Sequence, residues 1–183
     1  MIGNLPKTLN VNNKEIPIRT DYRVALLILQ AFNDVELNEY EKIAVMIECL
    51  FEEEIEVTEE LLNKAVWFLD GGQNSQDTII NQKRVMDWEQ DEQMIFSAIN
   101  KVAGREIRND DYLHWWTFLG LFHEIGEGLF STVVNIRTKK NKGKKLEKHE
   151  QEFYKNNKNL VDLKTKYTEE EQKEIDRLKK LLG

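Results

Sequence analysis

The chain has one cysteine, Cys49, in 183 residues. No intramolecular disulfide can form, which fits a reducing compartment. Cys49 lies in Ile47-Glu48-Cys49-Leu50-Phe51, a helical stretch. It reads as a packed thiol rather than a nucleophile, because burial raises a thiol's pKa and silences it. No stretch approaches the roughly 20 apolar residues of a membrane span. The opening Met1-Ile2-Gly3-Asn4-Leu5-Pro6-Lys7 has no apolar run and is no signal peptide. The expected location is a cytoplasm. There is no internal repeat at a fixed period, and no catalytic motif. His123-Glu124-Ile125-Gly126-Glu127 begins like a zinc-protease helix, but no second histidine follows four residues after His123.

What is present is charge, and it is polarised. The net charge is −7. From Asp34 to Glu60, eleven acids stand against Lys42 alone, a net of −10. From Arg137 to Lys148, seven bases stand against Glu147, a net of +6. Such poles invite head-to-tail self-association or a charged partner, although most charge runs are simply solvated faces.

The patterning predicts a mainly α protein. Its parts are a multi-helix globular body, a short N-terminal β-hairpin and a charged helical C-terminal extension. Leu9/Val11 and Ile16/Ile18 alternate with polar residues around Asn12-Asn13, which tolerate the positive φ of a tight turn. Pro17 cannot donate to a ladder, so its strand is an edge. Everything after Thr20 looks helical. Thr20 or Asp21 caps a helix with Tyr22, Ala25, Leu26, Leu29 and Phe32 on one face. Asn38-Glu39-Tyr40-Glu41 resembles a capping box, followed by Tyr40, Ile43, Ala44, Ile47 and Phe51. Thr58 caps a helix with a Leu61, Leu62, Ala65, Val66 and Leu69 stripe, stopped by Gly71-Gly72. Residues 73–82 read as a polar loop. Asp87 opens a helix with Trp88, Met94, Ile95, Ala98, Ile99 and Val102, closed by Gly104. Ser131 starts a short helix through Val133, Val134 and Ile136. Leu146, Phe153 and Leu160 fall seven apart, and Thr168-Glu169-Glu170-Glu171 caps a last helix with Ile175, Leu178 and Leu182.

The most apolar block is Tyr112-Leu113-His114-Trp115-Trp116-Thr117-Phe118-Leu119-Gly120-Leu121-Phe122. On a helical period its few non-apolar positions, His114, Thr117 and Glu124, share a narrow stripe. A central helix capped by Asn109 or Asp110, ending near Gly126-Glu127-Gly128, is expected. Trp88, Trp115, Trp116, Phe118 and Phe122 are the expected core formers. Adjacent indoles about 100° apart cannot share a stacking face. Asp110 and His114 reach half a metal site and read better as a surface or capping pair. His149 reads as solvated. Asp87, Glu89, Asp91 and Glu92 are what a helix macrodipole favours in its first turns, not an acid–base pair. Gly126-x-Gly128 and Gly71-Gly72 are helix stops, not phosphate loops. No cofactor or metal follows, and no enzyme class can be assembled.

The basic tract is the candidate partner-binding feature: Arg137, Lys139, Lys140, Lys142, Lys144 and Lys145, with Phe153 and Tyr154 beyond it. It lacks apolar periodicity, which places a body at 1–136 and a solvated, mobile extension at 137–183 that orders on binding. Deleting the chain from Lys139 onward is then expected to leave the body folded. Lysines on phosphates with aromatics on bases would make 137–148 a nucleic-acid site. Scarce arginine, aromatics outside the tract and an acidic chain weigh against it.

Several blocks resemble the gene-product-fifteen family of phage tail-morphogenesis proteins. They are Leu5-Pro6-Lys7, Ile18-Arg19-Thr20-Asp21-Tyr22-Arg23, Trp67-Phe68-Leu69-Asp70-Gly71-Gly72, Asp87-Trp88-Glu89-Gln90-Asp91 with Ile95-Phe96-Ser97-Ala98, Tyr112 to Phe118, and Ile136-Arg137-Thr138-Lys139 with Glu152-Phe153-Tyr154. They run to about Leu163 and leave the helix from Thr168 poorly covered. The resemblance implies a non-enzymatic tail assembly chaperone of long-tailed, non-contractile phages. It would hold the tape-measure protein, with the tail tube protein as a further partner, in the host bacterial cytoplasm, and be absent from the mature virion. No catalytic residues come with it.

Overall fold

The computed structural model describes residues 2–73 and 83–182. Beyond Gln73, the loop expected over 73–82 lies outside them. The architecture is mainly helical, with one two-stranded antiparallel hairpin at the N-terminus. Strands β1 (Thr8–Val11) and β2 (Lys14–Pro17) pair with Leu9 opposite Ile16. The turn residues Asn12 and Asn13 both adopt positive φ, 52° and 61°. Leu9, Val11, Ile16 and Ile18 are all buried, so the alternation sets which face meets the core.

Helix α1 (Tyr22–Phe32) is capped by Asp21, whose carboxylate accepts from the Arg23 amide. Helix α2 (Glu39–Leu50) opens with a full Asn38/Glu41 capping box. Its buried residues are Met46 and Leu50, while Tyr40 is 87% exposed. The expected stripe is therefore packed only at its C-terminal end, where Phe51 is buried and Ile47 packs on the core, while Tyr40 and Ala44 are exposed. Helix α3 (Glu59–Leu69), capped by Thr58, buries Leu61, Ala65 and Phe68. Asp87 does not open helix α4 (Glu92–Ala103). It caps a separate turn, accepting from the Glu89 and Gln90 amides. Gly104, in the left-handed region, ends α4.

The Trp-Trp block forms helix α5 (Trp115–His123), shorter than expected at both ends. Ile107–Asn109 is a 3-10 turn, and the cap of α5 is His114, not Asn109 or Asp110. Thr117, Gly120 and Glu124 do form an exposed stripe, but His114 is buried off it. Helix α6 (Leu129–Asn141) begins before Ser131 and runs on into the basic tract. It crosses the expected 136/137 boundary without a break. Helices α7 (Lys148–Asn156) and α8 (Lys158–Val161) follow. Val161 is fully buried, while Leu146, Phe153 and Leu160 pack on the core at partial exposure. The expected solvated extension is thus folded onto the body: its sparse apolar residues pack on the core, and Lys164 and Lys166 still bond Gln90 and Glu89. Helix α9 (Glu169–Leu182) starts at the Thr168/Glu171 capping box, and none of its residues 169–181 is buried.

An aromatic cluster forms the centre. Tyr22 stacks on Phe118 at 4.7 Å between ring centroids, Phe118 on Trp115 at 5.5 Å, and Trp88 meets Phe122 at 5.2 Å. Of the expected core formers, Trp115 and Phe118 are fully buried; Trp88, Trp116 and Phe122 pack against the core from its edge.

Candidate interaction surfaces

The Trp pair does more than fill space. Trp115 Nε1 donates to the Leu69 carbonyl at 2.9 Å, and Trp116 Nε1 to the Phe68 carbonyl at 2.8 Å. Adjacent indoles point their N–H groups at two successive carbonyls at the end of α3, which a helix C-terminus leaves without intrahelical partners. The chain then leaves α3 through Gly71 and Gly72 at φ +70° and +84°. A Cβ on Gly72 would stand 2.7 Å from the Trp116 ring. Trp67-Phe68-Leu69-Asp70-Gly71-Gly72 and the Trp-Trp block are thus two halves of one joint.

His114 closes another joint. Its Nδ1 accepts from the Trp116 amide at 3.0 Å, which fixes Nε2 as the protonated nitrogen donating to the Pro6 carbonyl at 2.9 Å. Burial pushes its pKa down and keeps it neutral. Asp110 pairs with Arg105 at 2.7 Å, so the two expected half-ligands face different partners. Among the described residues no three His, Cys, Asp or Glu side chains gather in a metal-sized cluster. Burial, helped by the neighbouring Glu48, pushes the Cys49 thiol up.

Ile18-Arg19-Thr20-Asp21-Tyr22-Arg23 ties the N-terminus to both neighbours. Arg19 Nη1 donates to the Glu48 and Cys49 carbonyls at the end of α2, at 3.0 and 3.1 Å, and to the Phe51 carbonyl. The Thr20 carbonyl accepts from the Trp115 amide at 2.7 Å, and Arg23 Nη2 donates to the Asp110 carbonyl at 2.6 Å.

The basic tract is divided. Arg137 is 4% exposed and grips Asp91, itself 0% exposed, through both carboxylate oxygens at 2.5 and 2.9 Å. Its remaining donors reach the Val161, Val85 and Leu160 carbonyls at 2.6, 3.1 and 3.0 Å. Arg137 is therefore an internal tie between α6, α8 and the Asp87 turn, and not a partner-facing residue. An isolated guanidinium on the apolar side of α6 stays buried only when every N–H is matched. Lys139 pairs with Glu150 at 2.7 Å, a bond that raises the lysine's pKa and lowers the glutamate's. Lys140 reaches Asp162 at 2.6 Å and lies 3.8 Å over the Tyr154 ring. Burial opposes its charge, but hydrogen bonds to Asp162 and Tyr154 outweigh this, and its pKa is raised. The Tyr154 hydroxyl donates to Asp162. One face of Tyr154 is thus covered by Lys140, and Phe153 packs on the core. Lys142, Lys144 and Lys145 remain as exposed cations without an ion pair among the described residues.

A family model described as Bacteriophage Gp15 protein matches residues 1–163. The chain belongs to the bacteriophage Gp15 family. No curated protein and no solved structure matches it. The match ends just past Asp162; Lys164 and Lys166 beyond it still bond Gln90 and Glu89 at 2.9 and 2.6 Å, and α9 lies outside the match. Among the described residues no helix is long and apolar enough to cross a membrane.

One surface of the Gp15 body was not legible in the sequence. A groove of about 580 Å³ lies between α4 and the turn joining α5 to α6. Met94, Ala98, Val102, Ile125, Leu129 and Phe130 give it an apolar lining, and Lys101 and Glu127 stand among its polar residues. Val102 and Leu129 are 37% and 50% exposed there. The sequence places them in two separate stripes, and only the α5–α6 turn brings them together.

Proposed function

We propose that this bacteriophage Gp15 protein is a non-enzymatic tail assembly chaperone. It binds the tape-measure protein while tail tube subunits polymerise, in the host cytoplasm, and is left out of the finished virion. The observation that carries the reading is the apolar groove beside α4. Its size and lining suit the apolar face of an amphipathic helix, a recurring way for one protein to hold another. The client that the family resemblance implies is long and aggregation-prone, and such a groove would shield its apolar stripes from self-association. The polar residues around it favour orientation over tight binding, as a chaperone that must release its client requires.

The test is co-expression with the tape-measure protein encoded in the same genome, followed by co-purification and light scattering. The expected result is a tape-measure protein that becomes soluble only with this chain and elutes with it. A tape-measure protein that stays insoluble, or elutes apart, overturns the reading.

A further inference from the structure

A second groove, of about 630 Å³, lies where α2 runs into the link to α3. Its floor is apolar: Ala44, Ile47, Phe51 and Ile55, with Val57 at the edge. Its rim is acidic, with Glu48, Glu52, Glu53 and Glu54, none of which makes an ion pair among the described residues. The one cation in the lining, Arg19, has its Nη1 committed to the Glu48, Cys49 and Phe51 carbonyls. This groove is built for something apolar and basic.

The same chain carries such an element. Helix α9 is 14 residues long with its charge segregated: Glu169, Glu170 and Glu171 in its first turn, Lys179 and Lys180 in its last. Leu178 and Leu181, on either side of those lysines, are 48% and 74% exposed. Lys179 and Lys180 have no ion-pair partner among the described residues. The α9 root is held at the other end of α2: the Glu169 amide donates to Glu36, which precedes α2, and no α9 residue lines the groove. We infer that the Arg177–Leu181 end of α9 docks in the acidic groove of a second copy of this chain, linking copies head to tail.

Leu178 and Leu181 would cover the Ile47/Phe51 floor, and Arg177, Lys179 and Lys180 would meet the glutamate rim. Because groove and helix are different surfaces, the contact is heterologous, and it propagates into a ring or a filament rather than closing as a symmetric dimer. The cationic element is α9 rather than the 137–148 tract: Arg137, Lys139 and Lys140 are paired inside the body, and the exposed Lys142, Lys144 and Lys145 have no apolar residue among them to cover the floor. The inference is independent of the client reading, since it uses neither the α4 groove nor the tape-measure protein.

The experiment is sedimentation of the full-length chain between about 10 µM and 1 mM, at low salt and at about 0.5 M salt. Three partners are compared: a chain ending at Tyr167, the Glu52→Lys/Glu53→Lys/Glu54→Lys variant, and that variant combined with Lys179→Glu/Lys180→Glu. All substituted positions are exposed, so the fold is retained and circular dichroism checks it. The intact chain should show a mass that rises with concentration and falls with salt. The truncated chain and the groove variant should each be monomeric alone yet form a one-to-one complex when mixed, and the fully charge-swapped chain should associate again. A monomeric intact chain, or a truncated chain that associates as well as the intact one, overturns the inference. So does a change that is independent of concentration, which would mean α9 folds onto its own groove.

Discussion

At the scale of single residues, the tightest constraint on this protein is one arginine that its sequence neighbourhood disguises. Arg137 sits at the head of a lysine run and reads as the first charge of a solvated tract. In the folded chain all its donors are spent on Asp91 and three carbonyls. The signal was available: Arg137 follows Phe130 and Val133 by seven and four residues, and Asp91 precedes Ile95 by four. An acid and a base each on an apolar stripe point to a buried pair. Arg137→Ala strands Asp91 and three carbonyls, so urea denaturation should show a loss of about 3–5 kcal/mol. His114 gives a second, pH-dependent test. Its folded pKa lies below the ordinary histidine value of about 6.5. Between the two values the unfolded chain binds more protons, so stability is fully present above about pH 6.5 and falls as pH drops toward the folded pKa. His114→Gln should flatten the slope of midpoint against pH in that window; an unchanged slope would place the titration elsewhere.

At the scale of elements, what the sequence announced and what it hid follow from local versus long-range physics. The hairpin, the Asn38/Glu41 box, the Thr58 and Thr168 caps and the Gly104 stop rest on neighbours a few residues apart, and each stands where the pattern puts it. The failures need distant partners. His114 caps α5 in place of Asn109 or Asp110 because Pro6 and Trp116 fix its ring. Helices α7 and α8 are too poor in apolar residues to be recognised as packed, and what holds them is a few apolar contacts around Val161 together with a guanidinium from α6 and two lysine–carboxylate pairs. This reverses the expectation for deletion. Removing everything from Lys139 takes away Val161 and two of the carbonyls around Arg137, so that chain should unfold cooperatively at far lower urea, or not fold. Ending the chain at Tyr167 removes only a helix with no buried residue over 169–181, and should leave the unfolding free energy within about 0.5 kcal/mol of the intact chain's. Equal stability of the two truncations would contradict the packing described for α8.

At the scale of the whole molecule, the body carries two apolar grooves on different elements, one beside α4 and one at the end of α2, with different electrostatics. The proposed chaperone role, with a client and links between copies, requires the two contacts to be separable, since a shared surface would make self-association compete with the client. Val102→Glu/Leu129→Glu tests this at positions already 37% and 50% exposed. Surface substitutions of that kind change stability by about 0.5 kcal/mol or less. A charge set into an apolar contact costs far more, because it is desolvated without a partner. The double variant should therefore keep its thermal midpoint and its concentration-dependent mass while failing to bring the tape-measure protein into solution. The chain ending at Tyr167 should do the opposite, remaining monomeric yet still recovering the client. If the double variant recovers the tape-measure protein as well as the unsubstituted chain does, the α4 groove is not the client surface. If it also loses self-association at an unchanged midpoint, the two grooves serve a single contact and the separation of roles fails.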